Sequence, residues 1–187
     1  MKYLVVGLGN IGAEYADTRH NIGFKVLDFL AGKSDTSFSA DRYGAVAELR
    51  HRGRTIVLLK PSTYMNLSGK AVRYWLDRTG VPVSNLLVVV DDIALPFGTL
   101  RMRTKGSDGG HNGLKNINEL LGTDAYARIR FGIGGDFARG GQVDYVLGRW
   151  TEQESAAMPE RLAVFADAVL SFASVGAERT MNLYNKK

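Results

Sequence analysis

The side chains of this chain best suited to chemistry on a polar bond are three histidines, an adjacent pair of aspartates and several asparagines; cysteine is absent. Without a thiol there is no thiolate nucleophile, disulfide framework or cysteine metal site. His20 stands in Thr18-Arg19-His20-Asn21 and His111 in Gly109-Gly110-His111-Asn112-Gly113, each before an asparagine and each at a loop-to-helix junction. His51, between arginines in His51-Arg52-Gly53-Arg54, reads as a solvated turn residue. Asp91 and Asp92 end the most continuous apolar run, Leu86 to Val90. At least one of them needs a partner or water, because burying two unpaired carboxylates is costly; a turn or capping role is the ordinary alternative. No G-x-S-x-G motif and no histidine pair with zinc spacing occurs. What remains is a histidine base, a carboxylate to orient it and asparagine amides. Such a set activates water and stabilises an oxyanion without a covalent intermediate or a metal.

The basic residues suggest a substrate class. In Thr99-Leu100-Arg101-Met102-Arg103, strand alternation puts Arg101 and Arg103 on one face. Arg128 and Arg130 alternate in the same way with Ile129 and Phe131, and Lys105 and Lys115 flank the Gly109-Gly110 loop. Any one pair is simply a solvated sheet face; two pairs beside a glycine loop read as a phosphate-binding stripe. The formal charge of +5 over 187 residues points the same way.

Gly7-Leu8-Gly9-Asn10-Ile11-Gly12 satisfies G-x-G-x-x-G directly after a strand, the fingerprint of a dinucleotide site. Its context argues otherwise. Ala13 to His20 lacks the apolar stripe of a helix, and Asp28, the acid near the required spacing, falls inside a helical pattern. The glycines are better read as a turn that presents Asn10 at a strand end, and no nicotinamide or flavin cofactor is expected.

These residues must be positioned by alternating strands and helices. Strands are expected at 3–6, 43–50, 55–59, 86–90, 99–103 and 126–133, with 43–50 and 55–59 joined as a hairpin. Helical spacing marks Ile22 to Leu30, the stretch carrying Ala71, Trp75 and Leu76, the stretch carrying Leu114, Ile117 and Leu121, and the long stripe from Leu162 to Ala173. Hydrophobic residues make up 45% of the chain, which suits one domain. The expected fold is α/β: a single domain over 1–187, with a mixed twisted sheet between helices on both faces. No apolar run is long enough to span a bilayer and the N-terminus does not read as a leader, so a cytoplasmic location is expected.

Taken together, Gly7-Leu8-Gly9-Asn10, Thr18-Arg19-His20-Asn21, Tyr64-Met65-Asn66-Leu67-Ser68-Gly69, Asp91-Asp92 before Leu95-Pro96, Gly109 to Leu114 and Arg130-Phe131-Gly132-Ile133-Gly134 resemble bacterial-type peptidyl-tRNA hydrolase in order and spacing. The resemblance implies a monomer that hydrolyses the ester between a peptide and the 3′-terminal ribose of tRNA. It implies His20 as the base and Asp91 as its orienting partner. Asn10 would contact the peptide near the ester, while Asn66 and Asn112 would position substrate and water. Tyr15, Tyr64 and Met65 would line the cleft and His111 would support the site. Arg103 and Arg130, with Lys105 nearby, would hold tRNA phosphate. Two departures concern substrate preference: Ile11 where proline is common, and Ala94 where an acid is frequent. A non-catalytic RNA-binding relative, like organellar group II intron-splicing factors of this fold, is the alternative reading.

Overall fold

In the first strand, alternate residues are claimed by opposite layers. In the computed structural model, which describes residues 1–186, β1 (Lys2–Gly7) sends Tyr3 and Val5 into one apolar cluster and Leu4 and Val6 into another. β5 (Leu86–Asp92) divides likewise, with Leu87 and Val89 on one side and Val88 and Val90 on the other. Both strands are buried on both faces, as central strands of a covered sheet must be.

The sheet has seven strands. β2 (Ser39–Asp41), β3 (Gly44–His51), β4 (Arg54–Pro61), β6 (Leu100–Arg103) and β7 (Ala127–Gly132) complete it in the order β2-β3-β4-β1-β5-β7-β6. The four central strands are parallel, while β2, β3 and β6 are antiparallel to their neighbours. The β3–β4 hairpin turns on Arg52 and Gly53 alone. Both have positive φ (49° and 79°), the conformation a two-residue turn needs to follow strand twist.

α1 (Ile22–Lys33) and the long α5 (Glu152–Val175) cover one face through Ile22, Val26, Leu30, Phe165 and Val169. α2 (Ser68–Thr79) and α3 (Asn112–Leu121) cover the other through Val72, Trp75, Leu114 and Ile117. The short α4 (Gln142–Val146) and terminal α6 (Ala177–Tyr184) complete the chain. The mixed sheet between two helical layers is the architecture the periodicity predicts. β2, α4 and α6 are additional. β2 is three exposed residues with no apolar alternation, and α4 buries no residue at all. Among the described residues, no helix is long and apolar enough to cross a membrane.

One close approach fixes how α1 meets the sheet. A Cβ on Gly23 would lie within 2.6 Å of the Leu8 nitrogen and oxygen and the Val89 oxygen, so only glycine lets the helix start sit on β1 and β5. His20, three residues earlier, is thereby brought over the end of β5.

Candidate active site

Three consecutive side chains in one 3-10 turn, Arg19–Asn21, face three different ways. Arg19 is buried and reaches toward α4 and α5. Its guanidinium donates to the Tyr145 carbonyl (3.1 Å), lies over the Tyr145 ring (4.2 Å) and pairs with Glu154 (3.5 Å). Glu154 is itself fixed, because its carboxylate accepts from the Thr151 amide and the Thr151 hydroxyl accepts from the Glu154 amide in the capping box of α5. Asn21, also buried, turns to β1: it accepts from the Asn10 amide (2.8 Å) and donates to the Asn10 carbonyl (2.9 Å). With its neighbours anchored, His20 projects between them.

His20 meets Asp91. Its Nδ1 lies 2.8 Å from Asp91 Oδ2, and on the other side His111 Nε2 lies 2.8 Å from Asp91 Oδ1. Asp91 is only 3% exposed. Burial by itself would raise its pKa, but the charge that His111 and His20 present when protonated, and their hydrogen bonds, outweigh that and hold the carboxyl well below the usual carboxylate range. An ionised carboxylate only accepts, so both facing ring nitrogens carry protons. His111 has no alternative tautomer. Its Nδ1 caps α3, accepting from the Gly113 and Leu114 amides (3.1 and 3.4 Å), so Nε2 must be its N–H. For neutral His20 the consequence is the tautomer whose lone pair is on Nε2.

His20 lines a cavity of about 100 Å³ whose walls include Asn112, Gly110, Arg130, Val143 and Val146. His20, Asp91 and His111 also present atoms within 4.8 Å of one another, as a metal-binding cluster would. Both contacts to Asp91 are hydrogen bonds, and an ion would have to replace their protons. The glycine turn shows no helix N-terminus for a dinucleotide: Gly12 (φ 111°) leads into a 3-10 turn, Ala13–Tyr15, and no α-helix opens before Ile22.

Asn10 is held by more than Asn21. Its Oδ1 accepts from the Met65 amide (2.9 Å), which fixes the side-chain amide with Nδ2 available to donate. These bonds hold the turn that carries Asn10. Asn66, in the 3-10 turn Met65–Leu67, and Asn112, the first residue of α3, are exposed; so is Tyr64, while Tyr15 is half-buried. Met65 lies beneath the site, its amide bonded to Asn10. It is 5% exposed and packs in the core beside Leu8, where its sulfur stands 2.9 Å from a Cβ built on Gly113.

The arginine stripe needs one correction. Register places Arg101 opposite Arg130 and Arg103 opposite Arg128, so all four share a face. Arg128, however, is fully buried, donating to the carbonyls of Gly106 (3.0 Å), Tyr126 (3.0 Å) and Asp124. It staples the loop to β7 and is closed to phosphate. Arg103 and Lys105 are exposed; Arg130 is half-buried, donating to the Ser107 carbonyl (3.0 Å) and standing 3.7 Å from Asp92. Asp92 also accepts from the Ala94 amide (2.8 Å), so the aspartate pair divides its work: Asp91 faces the histidines and Asp92 shapes the turn. Asn21, Arg19 and Glu154 are positioning residues the sequence reading did not single out. The first two lie within the Thr18-to-Asn21 block, but Glu154 is too distant in sequence to suggest the link.

A mixed α/β sheet with an aspartate-bridged histidine pair at the carboxyl end of β5 marks an α/β enzyme whose site lies at the strand ends. The chain belongs to the peptidyl-tRNA hydrolase family, a family of ester hydrolases: the sequence model described as peptidyl-tRNA hydrolase matches residues 4–187. The peptidyl-tRNA hydrolase of Phocaeicola vulgatus is 61% identical, with 100% of both chains aligned. That of Cytophaga hutchinsonii is 55% identical, again over 100% of both. The crystal structure of peptidyl-tRNA hydrolase from Acinetobacter baumannii superposes with a TM-score of 0.91 at 32% identity, covering 98% of this chain and 94% of that one.

Proposed function

We propose that this enzyme hydrolyses the ester joining a peptide to the 3′-terminal ribose of tRNA, with His20 as general base, acting as a cytoplasmic monomer. His20 Nε2 removes a proton from water as the water oxygen attacks the ester carbonyl carbon. Asp91, ionised and accepting from His20 Nδ1, steadies the imidazolium that forms. Negative charge moves to the carbonyl oxygen, where donors from Asn10 Nδ2, Asn66 and Asn112 stabilise it. On collapse the ribose oxygen leaves and takes the proton back from His20, giving a free tRNA hydroxyl and a peptide carboxylic acid that releases its remaining proton to solvent. Arg103, Lys105 and Arg130 hold phosphate of the acceptor end, and the cavity that His20 shares with Arg130 joins the two tasks.

The observation that carries this reading is the buried, ionised Asp91 held between two imidazole N–H groups beneath an open cavity. RNA binding alone requires no such arrangement. The test is release of peptide from an N-blocked aminoacyl-tRNA, with unblocked aminoacyl-tRNA as control. Cleavage of the blocked substrate is expected; tRNA binding without cleavage would instead favour a non-catalytic RNA-binding role.

A further inference from the structure

We infer that a cleft on the α2–α3 face, apart from the His20 site, binds one nucleotide, either free or as a residue of single-stranded RNA. The cleft has a volume of about 440 Å³, within the range of about 300–1,000 Å³ usual for ligand sites. Its walls are Tyr43 from the β2–β3 turn, Lys70, Arg73, Tyr74 and Asp77 from α2, and Leu120 near the end of α3. None of these residues lines the His20 cavity, and none takes part in the hydrolysis proposed above.

Aromatic surface and free positive charge coincide there. Tyr43 and Tyr74 are both half-buried and meet edge to face, their ring centroids 5.4 Å apart. Lys70 Nζ stands 5.2 Å from the centre of the Tyr43 ring, and the Arg42 guanidinium 5.1 and 5.4 Å from the Tyr43 and Tyr74 rings. Among the described residues, no carboxylate pairs with the side chains of Arg42, Lys70 or Arg73. Lys33 and Lys60, by contrast, each pair with an aspartate. A ring face steadies a cation without cancelling its charge, so the charge around this cleft stays available to an anion. Asp77 is the single acid of the lining and can accept from ribose hydroxyls. Rings for a base and cations for its phosphate are the chemistry of a nucleotide site. An acidic peptide would use the cations and leave the rings idle.

The backbone at Tyr43 supports this use. Tyr43 is the second central residue of the turn between Asp41 and Gly44, and its φ of 61° favours glycine there and is uncommon for a bulky side chain. Two bonds hold the turn: the Ser62 amide donates to the Tyr43 carbonyl (2.8 Å), and Trp75 Nε1 donates to the Arg42 carbonyl (2.7 Å). Strain retained beside a cleft is the kind that ligand sites keep.

The test is wild-type protein titrated with adenosine 5′-monophosphate, a short oligoadenylate, inorganic phosphate and oligoglutamate, followed by amide and indole NMR signals. The amides of Tyr43, Lys70 and Tyr74 and the Trp75 indole should shift with both adenine ligands, while the Trp150 indole stays in place. Tighter binding of the oligomer makes single-stranded RNA the source, and equal binding makes it a free nucleotide. Unmoved signals at millimolar ligand overturn the proposal. So does equal affinity for inorganic phosphate or oligoglutamate, which removes the base from recognition; the oligoglutamate result would point to an acidic protein segment. Arg73→Ala and Tyr74→Leu should each weaken adenosine 5′-monophosphate binding about fivefold or more, the scale of one charged hydrogen bond or one stacked base. Both variants should cleave N-blocked aminoacyl-tRNA at the wild-type rate. A parallel loss of cleavage in Arg73→Ala would make the cleft part of the substrate site and overturn its independence.

Discussion

His111 and Asp91 are joined by a 2.8 Å hydrogen bond whose direction is set by a helix: the other His111 nitrogen caps α3, so the one facing Asp91 must donate. Capping and orientation are thus two tasks of one ring, and substitution separates them. Asn caps helices well but is too short to replace the ring that reaches Asp91. His111→Asn should keep most of the stability and lose kcat by about 10-fold or more, the scale of one hydrogen bond to a charged group. His111→Ala should lose a further ~1 kcal/mol of stability with the cap. Thermal melts and single-turnover rates read the two effects apart. Full activity in His111→Asn would show that Asp91 needs no second donor.

Asp91 also predicts a pH dependence of stability. Its carboxyl titrates below its ordinary value of 3.8 in the folded protein. Its stabilisation is therefore present above that value and lost as pH falls below it, because the unfolded chain takes up the proton first. Asp91→Asn removes this contribution. Between neutral pH and the acid limb, denaturation free energy should fall less steeply in the variant than in wild type. Parallel curves would contradict the ionised, doubly hydrogen-bonded state.

The arginines divide by burial. Arg103→Ala and Arg130→Ala should each weaken tRNA binding and reduce the salt slope of log K by about 0.7–0.9, the loss of one phosphate contact. Arg128→Ala should leave that slope unchanged and cost about 2–4 kcal/mol of stability, because the Gly106, Asp124 and Tyr126 carbonyls lose their donor. Binding titrations at several salt concentrations, paired with urea denaturation, distinguish the groups. A changed slope in Arg128→Ala would return it to the phosphate stripe.

Asn21→Ala frees the main chain of Asn10 from both of its bonds to Asn21. Discrimination between blocked and unblocked substrates should fall, with kcat/KM on the blocked one reduced about 10-fold. Unchanged discrimination would mean that the Met65 amide alone fixes Asn10.

The central elements were legible because their patterns are repetitive: the Leu86–Val90 run is a buried strand, and the Leu162–Ala173 stripe lies in α5. So was the hairpin, because Arg52-Gly53 provides the backbone freedom its turn requires. Arg128 shows the limit. Alternation correctly gives its face, but not that the loop carrying Gly106 folds back over it. The contact between His20 and Asp91, residues from distant parts of the chain, depends on Gly23 seating α1 on β1 and β5. No local pattern reports that distance.

The most direct measurement is turnover by His20→Ala on an N-blocked aminoacyl-tRNA, with tRNA affinity measured in parallel. Loss of the base predicts a fall in kcat of about 10²–10⁴-fold with affinity preserved. Turnover close to wild type would remove His20 as the group that activates water.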